Sequence, residues 1–389
     1  MEKPAVLLVA GSAEFGSGEC QLLDYLRYPG KKPFLPYIIF PAEGPLVEVA
    51  KESGLNAGVV QSRDYLTGFK ELWRQPLTWV YNLNSFIKMS AIIRQNNIRL
   101  VLSLSFINWT GALSARQEGI AHIWMIREVL SGRKNCLNFF WGTWLASRLA
   151  TDLSVLMLPE SSLAAEIFQK KRTREKTRIL PPAIDVDRYD EQLNQFSENC
   201  RDEKPGVGFF FSLPDVHKVK ETVLAARSEI LSSQERQQTG LFLFFPGFKE
   251  KTKQGLKEKV LKELEGSGLQ PEFPEFGRLP SLWKKLQVAV IVPGFDPMSR
   301  IVLEAGLAKV PVIVERGAAS ELVVHGRTGV IFDYQAYKDY SSYLKSILTN
   351  KKQACQMAQA AREHIIEHYS LDTWKQKFEQ LLAGILSLP

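Results

Sequence analysis

The sequence predicts an α/β protein built from two doubly wound, Rossmann-like domains. Three observations predict this class. The chain of 389 residues has the length of two domains or a little more, at about 150 residues per domain. Short apolar runs alternate with longer amphipathic segments, as in parallel sheets covered by helices on both faces. Two series of such runs are separated by a polar, charged stretch.

The apolar runs predict five buried strands in each domain. The first series is residues 5–10, 37–40, 100–104, 123–126 and 154–158, and the second is 207–211, 241–245, 288–292, 310–314 and 330–332. The expected organisation is an amino-terminal domain over 1–183, a linker over 184–205, a carboxyl-terminal domain over 206–368, and a helix within 369–389 that crosses back to the first domain. Two such sheets facing each other would bind their ligand in a cleft at the carboxyl ends of the strands.

The net charge of +7 comes from the amino-terminal half. Residues 1–183 contain 22 Lys and Arg against 15 Asp and Glu, whereas residues 184–389 contain 27 of each. Residues 170–178 alone have six cations and one anion. Because the excess is a local patch, nucleic acid is not expected as a partner. The patch is either a solvated loop or a segment that attracts a membrane or an anionic acceptor, and both alternatives stay open.

Cysteine spacing and hydropathy indicate a cytoplasmic protein without a membrane-spanning helix. No apolar run reaches the roughly 18 residues that cross a bilayer, and the amino terminus has no basic n-region. The cysteines match neither a zinc site nor a CxxC pair, which indicates reduced thiols. They are Cys20, Cys136, Cys200 and Cys355.

Aromatic residues are interleaved with cations in two amino-terminal stretches, residues 65–88 and 133–144. Such stretches either lie in the headgroup layer of an anionic membrane or form helix faces packed on the sheet. For residues 79–86 packing on the sheet is the favoured alternative.

A Gly-rich turn after the first predicted strand is one candidate anion site. Gly16, Ser17 and Gly18 open a helix whose N–H groups and dipole favour an anion. The turn has neither a GxGxxG spacing nor a P-loop lysine, so a tight βα turn without a ligand is an equal alternative.

The segment after the strand 288–292 is the stronger candidate. A loop carries Asp296, a helix starts near Ser299, and Glu304 follows eight positions after Asp296. N–H groups at a helix start can meet a diphosphate, while the two carboxylates can accept hydrogen bonds from sugar hydroxyls. A helix cap and a helix-face salt bridge are the alternatives for these carboxylates.

The motifs around this helix occur in a recognisable order. They are Gly277-Arg278-Leu279-Pro280, the pair Asp296 and Glu304, Leu303-Glu304-Ala305, Val310-Pro311-Val312-Ile313 and residues 317–329. In this order the chain resembles retaining glycosyltransferases of the GT-B fold, specifically glycosyltransferase family 4, whose E-x7-E motif corresponds to Asp296 and Glu304. The amino half agrees more loosely, so the resemblance covers nearly the whole chain.

The resemblance implies a retaining, metal-independent hexosyltransferase without a prosthetic group, whose donor is a UDP- or GDP-sugar. Glu304 would bind the ribose hydroxyls and Asp296 the donor sugar. Lys218 would neutralise charge on the departing diphosphate. The amides that would face the diphosphate or sugar are those of Met298, Ser299 and Arg300.

Further positions follow from the same resemblance. The backbone near Arg278 and Leu279 would hold the base, and Gly16, Ser17 and Gly18 would close on the donor from the other domain. Arg127 and Glu128 stand where many relatives have a histidine that touches the transferred sugar, a replacement that a subset of the family shares. Other departures are the shorter Asp296, Ser212 near the usual place of an arginine, and Val219 where a glycine commonly follows the lysine.

The implied acceptor is a sugar or lipid-linked saccharide of cell-surface polysaccharide or glycolipid synthesis, at the inner face of the cytoplasmic membrane. Two alternatives remain: a sugar-nucleotide epimerase of related fold, and a basic membrane- or nucleic-acid-binding protein that has lost catalysis. No metal site is expected. The D-x-D at residues 185–187 is interpreted as turn carboxylates, and His364 with His368 lacks a third-ligand pattern.

Overall fold

The computed structural model describes the chain in two compact units. The described residues are 3–65, 75–130, 142–169, 171–195, 206–212, 215–230, 232, 240–245, 250–274, 279–293, 298–333 and 337–386. Unit 1 comprises Met1–Pro182 with Asp372–Pro389, and unit 2 comprises Ala183–Leu371. Each unit has its own six-stranded parallel sheet.

The sheet of unit 1 has the strand order β3-β2-β1-β4-β5-β6. Its strands are β1 Ala5–Val9, β2 Leu35–Phe40, β3 Asn56–Val59, β4 Ile98–Ser103, β5 Ala121–Ile126 and β6 Leu156–Pro159. Its helices up to the domain boundary are α1 Ser17–Arg27, α2 Pro45–Glu52, α3 Gln75–Tyr81, α4 Leu83–Gln95, α5 Thr110–Gln117, α6 Thr143–Leu153, α7 Ser162–Ala165 and α8 Lys171–Arg174. Val6, Leu7 and Leu8 are fully buried, as expected for a central strand covered on both faces.

Unit 2 repeats this topology with the order β12-β11-β10-β7-β8-β9. Its strands are β7 Gly206–Phe211, β8 Gly240–Phe244, β9 Pro271–Glu272, β10 Leu286–Val292, β11 Val312–Glu315 and β12 Val330–Phe332. Its helices are α9 Val186–Gln195, α10 Val216–Ala225, α11 Glu250–Glu263, α12 Leu279–Leu282, α13 Ser299–Leu307, α14 Tyr337–Thr349 and α15 Lys351–Tyr369. In both units the third strand lies at one edge and the sixth at the other, the doubly wound order of nucleotide-binding folds.

The predicted fold class is confirmed, and each of the ten predicted apolar runs overlaps a strand. The structure adds two edge strands, β3 and β9, which have no apolar run. Residues within the predicted linker form α9, whose Tyr189 and Leu193 are buried in the core of unit 2.

The last helix, α16 Leu371–Leu386, packs within unit 1. The Tyr25 ring lies 5.5 Å from the ring of Trp374 and 5.4 Å from that of Phe378, and its hydroxyl donates to Glu379 at 2.9 Å. No helix in the described ranges is long and apolar enough to cross a membrane.

Candidate functional site

The strand order of unit 2 defines where a ligand can bind. The chain leaves β7 toward one side of the sheet and β10 toward the other, so a crevice opens at the carboxyl ends of these two neighbouring strands. Helix α10 follows β7 and helix α13 follows β10. We call the carboxyl ends of β7 and β10 the switch point of this sheet. Helices α10 and α13 begin there, and they carry Lys218 on α10 and Ser299 and Glu304 on α13.

Lys218 is held by a buried acidic partner. Asp215 caps α10 by accepting hydrogen bonds from the N–H groups of His217 at 3.0 Å and Lys218 at 3.2 Å. The Lys218 ammonium donates to Oε2 of Glu315 at 2.8 Å, and the two side chains are 13% and 3% exposed. Glu315 ends β11, the strand beside β10. The positive charge that the sequence predicts for a diphosphate is thus already balanced within unit 2.

Glu304 lies at the centre of a second buried polar cluster. Its Oε1 accepts from Nε of Arg300 at 2.7 Å, one helical turn earlier, and its Oε2 accepts from the Tyr189 hydroxyl at 3.3 Å. The carboxylate side chain is 8% exposed. Burial, followed by the charge of Glu304, raises the pKa of Tyr189 well above its ordinary value, so this hydroxyl stays a donor. The helix-face salt bridge considered for Glu304 is present, in a buried setting.

The start of α13 has an unusual backbone. Met298 precedes the helix with φ 55° and ψ 31°, in the left-handed region that non-glycine residues seldom adopt. Met298 and Ser299 are buried, at 3% and 2% exposure. Asp296 and Arg278 lie outside the described residues, and of Leu279 the structure describes the backbone, which begins α12.

In unit 1 a carboxylate that the sequence analysis did not single out organises the Gly-rich turn. Glu19, on α1 and 6% exposed, accepts hydrogen bonds from the N–H groups of Gly11 at 3.0 Å and Ser12 at 3.2 Å. Burial raises the pKa of Glu19, while the charge of Arg127 and the N–H groups of Glu19 and Gly11 act in the opposite direction. Gly16 is the N-cap of α1, and its own N–H donates to the carbonyl of Glu14 at 2.7 Å.

Arg127 links segments that follow three strands. It follows β5, and its Nε lies 3.7 Å from Oε2 of Glu160, which follows β6. The Arg127 and Glu160 side chains are 13% and 6% exposed. A Cβ atom added at Gly18, on the helix after β1, would overlap the guanidinium of Arg127 in its present position. The sequence-predicted residues Gly18 and Arg127 are therefore in direct contact.

Glu128 is tied to the turn after β4. Its Oε2 accepts from the N–H groups of Phe106 at 3.1 Å and Arg127 at 3.2 Å, and its Oε1 accepts from the Ser105 hydroxyl. The residue is 8% exposed. Through these bonds Glu128 joins the carboxyl ends of β4 and β5, which is a structural role.

Sequence reasoning missed three buried partners of the predicted residues: Glu315, Tyr189 and Glu19. Glu315 could have been identified from the sequence, because this acidic residue ends an otherwise apolar strand, Val312–Glu315. Tyr189 is 115 positions from Glu304, and spacing alone does not pair residues at that distance.

Other candidates have local roles in the structure. Asp185 Oδ1 accepts from the N–H of Arg188 at 3.2 Å, at the start of α9. The rings of His364 and His368 are 4.7 Å apart on α15, and the described residues hold no group of three His, Cys, Asp or Glu that could bind a metal.

The basic segment 170–178 is partly engaged in local hydrogen bonds. The Lys176 ammonium donates to the carbonyls of Thr151 at 2.9 Å and Ser154 at 2.8 Å, near the end of α6. Arg178 donates to nearby carbonyls of its own loop. Lys170 and the side chains of Lys171 and Arg172 lie outside the described part of the chain.

Part of the chain matches a known protein family. Residues 192–364 match the family described as "Glycosyl transferases group 1". The D-inositol 3-phosphate glycosyltransferase of Pseudarthrobacter chlorophenolicus is 22% identical over 219 residues, which cover 55% of this chain and 52% of that protein. The match thus spans about half the length of this curated relative.

Two solved structures share the fold over nearly their full length. HepE of Anabaena, in complex with UDP and glucose, has a TM-score of 0.73 at 15% identity, covering 98% of this chain and 99% of its own. A glycosyltransferase of Rickettsia africae has a TM-score of 0.71 at 16% identity, covering 100% of both chains. The chain therefore has the GT-B fold. The match of residues 192–364 to a glycosyltransferase family supports a glycosyltransferase activity.

Proposed function

We propose that the protein is a retaining, metal-independent glycosyltransferase that transfers a sugar from a nucleotide diphosphate donor to an acceptor hydroxyl. One observation carries the proposal. Lys218 lies on α10 and Glu304 lies on α13, and these two helices begin at the switch point of the unit 2 sheet. Both belong to the residues that match the family. A crevice of this kind, at a helix amino terminus, favours a phosphate group.

The proposed donor contacts are chemically available in the described geometry. An ammonium group has three N–H donors, so Lys218 can bond to a diphosphate oxygen while it keeps Glu315. A carboxylate accepts at about four positions, so Glu304 can accept from ribose hydroxyls while Arg300 and Tyr189 hold it in place. We therefore assign donor binding to these two side chains and to the amides of residues 298–300.

The remaining donor contacts rest on the family resemblance. We assign the donor sugar to Asp296 and the base to the backbone of Arg278 and Leu279. Neighbouring structures solved with UDP and with UDP-glucose support a UDP-sugar as the first donor to test, ahead of a GDP-sugar.

The proposed reaction breaks the bond between the anomeric carbon and the diphosphate oxygen and forms a bond to the acceptor oxygen on the same face of the sugar. The departing phosphate takes the acceptor's proton, while Lys218 stabilises the charge that develops on it. No prosthetic group takes part.

Unit 1 is proposed to hold the acceptor and to contact the transferred sugar. We assign that contact to Arg127, because its guanidinium lies among the carboxyl ends of the strands, between Gly18 and Glu160. Glu128 is a positioning residue, since its carboxylate is occupied by three donors of unit 1. The turn at residues 16–18 is proposed to close on the donor.

The proposed acceptor is a lipid-linked saccharide in cell-surface polysaccharide or glycolipid synthesis, at the inner face of the cytoplasmic membrane. Exposed Arg174 and the positive balance of residues 170–178 favour an acceptor with negative charge.

A panel of nucleotide sugars tests the proposal. We expect one UDP- or GDP-sugar to raise the melting temperature and, with an acceptor, to give a product that keeps the donor's anomeric configuration by NMR. Activity should survive a metal chelator. An inverted product would contradict retention, and conversion of the donor to its epimer without an acceptor would instead identify an epimerase. Salt-dependent DNA binding without stabilisation by UDP or GDP would contradict the glycosyltransferase assignment.

A further inference from the structure

Helices α3 and α4 of unit 1 form one nearly continuous helical segment. The N–H of Asn82 donates to the carbonyl of Thr78 at 2.9 Å, and the N–H of Phe86 donates to the carbonyl of Asn82 at 2.9 Å. The i to i−4 hydrogen-bond pattern therefore continues across the junction between the two helices. One inner and one outer face run along the whole segment.

The inner face is polar at three successive positions. Thr78, Asn82 and Ser85 are 7%, 1% and 3% exposed. Asn82 exchanges two hydrogen bonds of 2.8 Å with the backbone of Arg63, and the Ser85 hydroxyl donates to the carbonyl of Gln61. These bonds attach the segment to the chain after β3 and fix which face points outward.

The outer face is mainly apolar, with exposed Asn84 as its polar interruption, the reverse of the ordinary amphipathic pattern of a surface helix. Its large exposed side chains, with their exposed fractions, are Leu77 63%, Val80 73%, Tyr81 44%, Leu83 58% and Ile87 56%. The favoured alternative for residues 79–86, a helix face packed on the sheet, agrees with Trp79, whose ring lies 4.8 Å from that of buried Tyr65. Val80, Tyr81 and Leu83 in the same range lie on the other face and are exposed. A contiguous exposed apolar patch marks an interaction surface.

Charge complementarity identifies the kind of partner. Residues 75–95 contain Lys88 and Arg94 and no Asp or Glu. Lys88 is exposed and lies three helical turns after Leu77, on the same face. The guanidinium of Arg63 lies 3.8 Å from the ring centroid of Tyr81, at the edge of the apolar stripe. An apolar stripe bordered by cations fits the headgroup layer of an anionic bilayer.

We propose that the outer face of residues 77–88, the 77–88 stripe, docks unit 1 on an anionic lipid bilayer. The aliphatic side chains enter the boundary between headgroups and acyl chains, and Lys88 and Arg63 meet lipid phosphates. A protein interface uses about 20 to 30 residues a side, far more than the exposed positions among the described residues 77–88. The docking does not depend on donor binding, but it places the enzyme of the proposed function where a lipid-linked acceptor is found.

Vesicle sedimentation of the full chain tests the docking surface. We expect wild-type protein to bind phosphatidylcholine vesicles that contain phosphatidylglycerol, and to bind less at high salt. The variant Val80→Asp/Ile87→Asp should bind at least about tenfold more weakly, because two buried charges oppose insertion. The matched control is Leu261→Asp/Ile366→Asp, which alters side chains of unit 2 that are 48% and 40% exposed, and it should bind like wild type.

Three results would overturn the docking proposal: no vesicle binding by wild type, equal binding by the stripe variant, or a wild-type dimer that the stripe variant abolishes. The last result would assign the stripe to a second copy of the chain. Thermal stabilisation by nucleotide diphosphates, measured on the same samples, should be equal in wild type and stripe variant. A failure of docking is thereby separated from a failure of donor binding.

Discussion

Replacing Lys218 should expose two separate roles of this side chain, one in stability and one in catalysis. In Lys218→Met the carboxylate of Glu315, which is 3% exposed, loses the ammonium that lies 2.8 Å away. Leaving one charge of a buried pair without its partner costs about 3–5 kcal/mol. For a domain of the size of unit 2 each kcal/mol lowers the melting temperature by about 2–4 °C, so the transition of this unit should lie about 6–20 °C lower in the variant.

The double variant Lys218→Met/Glu315→Met separates the two roles. Replacing both members of a buried pair by apolar groups is often close to neutral, so its melting temperature should return toward that of wild type. Its sugar transfer should remain strongly reduced, because the cation for the diphosphate is absent. Calorimetric melting and donor turnover, measured on the same preparations, give both values.

A solvent-exposed ion pair in the same unit provides the control. Lys220 on α10 and Glu263 on α11 are 2.7 Å apart, but their side chains are 37% and 36% exposed. Lys220→Met should therefore leave the melting temperature and turnover nearly unchanged. An unchanged melting temperature in Lys218→Met would refute the buried ion pair, and wild-type turnover in the double variant would refute the catalytic assignment of Lys218.

Three further predictions concern single residues in both units. Tyr189→Phe removes one hydrogen bond to the carboxylate of Glu304, worth about 1 kcal/mol, so KM for the donor should rise roughly fivefold while kcat changes little. An unchanged KM in steady-state kinetics would contradict this positioning role. Gly18→Ala should displace the Arg127 guanidinium and reduce turnover. The control is Gly384→Ala, which should leave turnover unchanged because a Cβ there meets nothing within 4 Å. Equal activities of these two variants would argue against the contact between Gly18 and Arg127. Burial lowers the pKa of His122 to about 3, so below about pH 6.5 the unfolded chain binds a proton at this residue that the folded protein does not bind. The free energy of unfolding should therefore fall by about 1.4 kcal/mol per pH unit as the pH is lowered from 6.5 to 3. Urea unfolding of His122→Gln should lack this pH-dependent loss.

The central strands were predictable because each is a continuous apolar run. Strands β3 and β9 were not, since Asn56–Val59 and Pro271–Glu272 are partly exposed and lack that pattern, whereas the other two edge strands, β6 and β12, have it. Helix α9 was expected to be a linker because its segment is mostly polar. Two buried side chains, Tyr189 and Leu193, anchor it, and such a small apolar face gives little periodic signal.

The candidate site was predictable as motifs but not as a network. The order of motifs placed Lys218 and Glu304 on the helices after β7 and β10, and the strand order brings those helices to one switch point. Their partners depend on the folded chain: Glu315 is 97 positions from Lys218, and Tyr189 is 115 positions from Glu304. The folded packing decides which side chains become partners, and a linear sequence pattern does not contain that information.

Isothermal titration of nucleotide diphosphates tests the central claim most directly, because it measures donor recognition without an acceptor. We expect UDP or GDP to bind wild-type protein at one site per chain, and Glu304→Ala to weaken that binding at least about tenfold, since hydrogen bonds to a charged group contribute about 1.5–3 kcal/mol. Binding of neither nucleotide, or equal affinity in the Glu304 variant, would contradict a nucleotide-sugar site on α13.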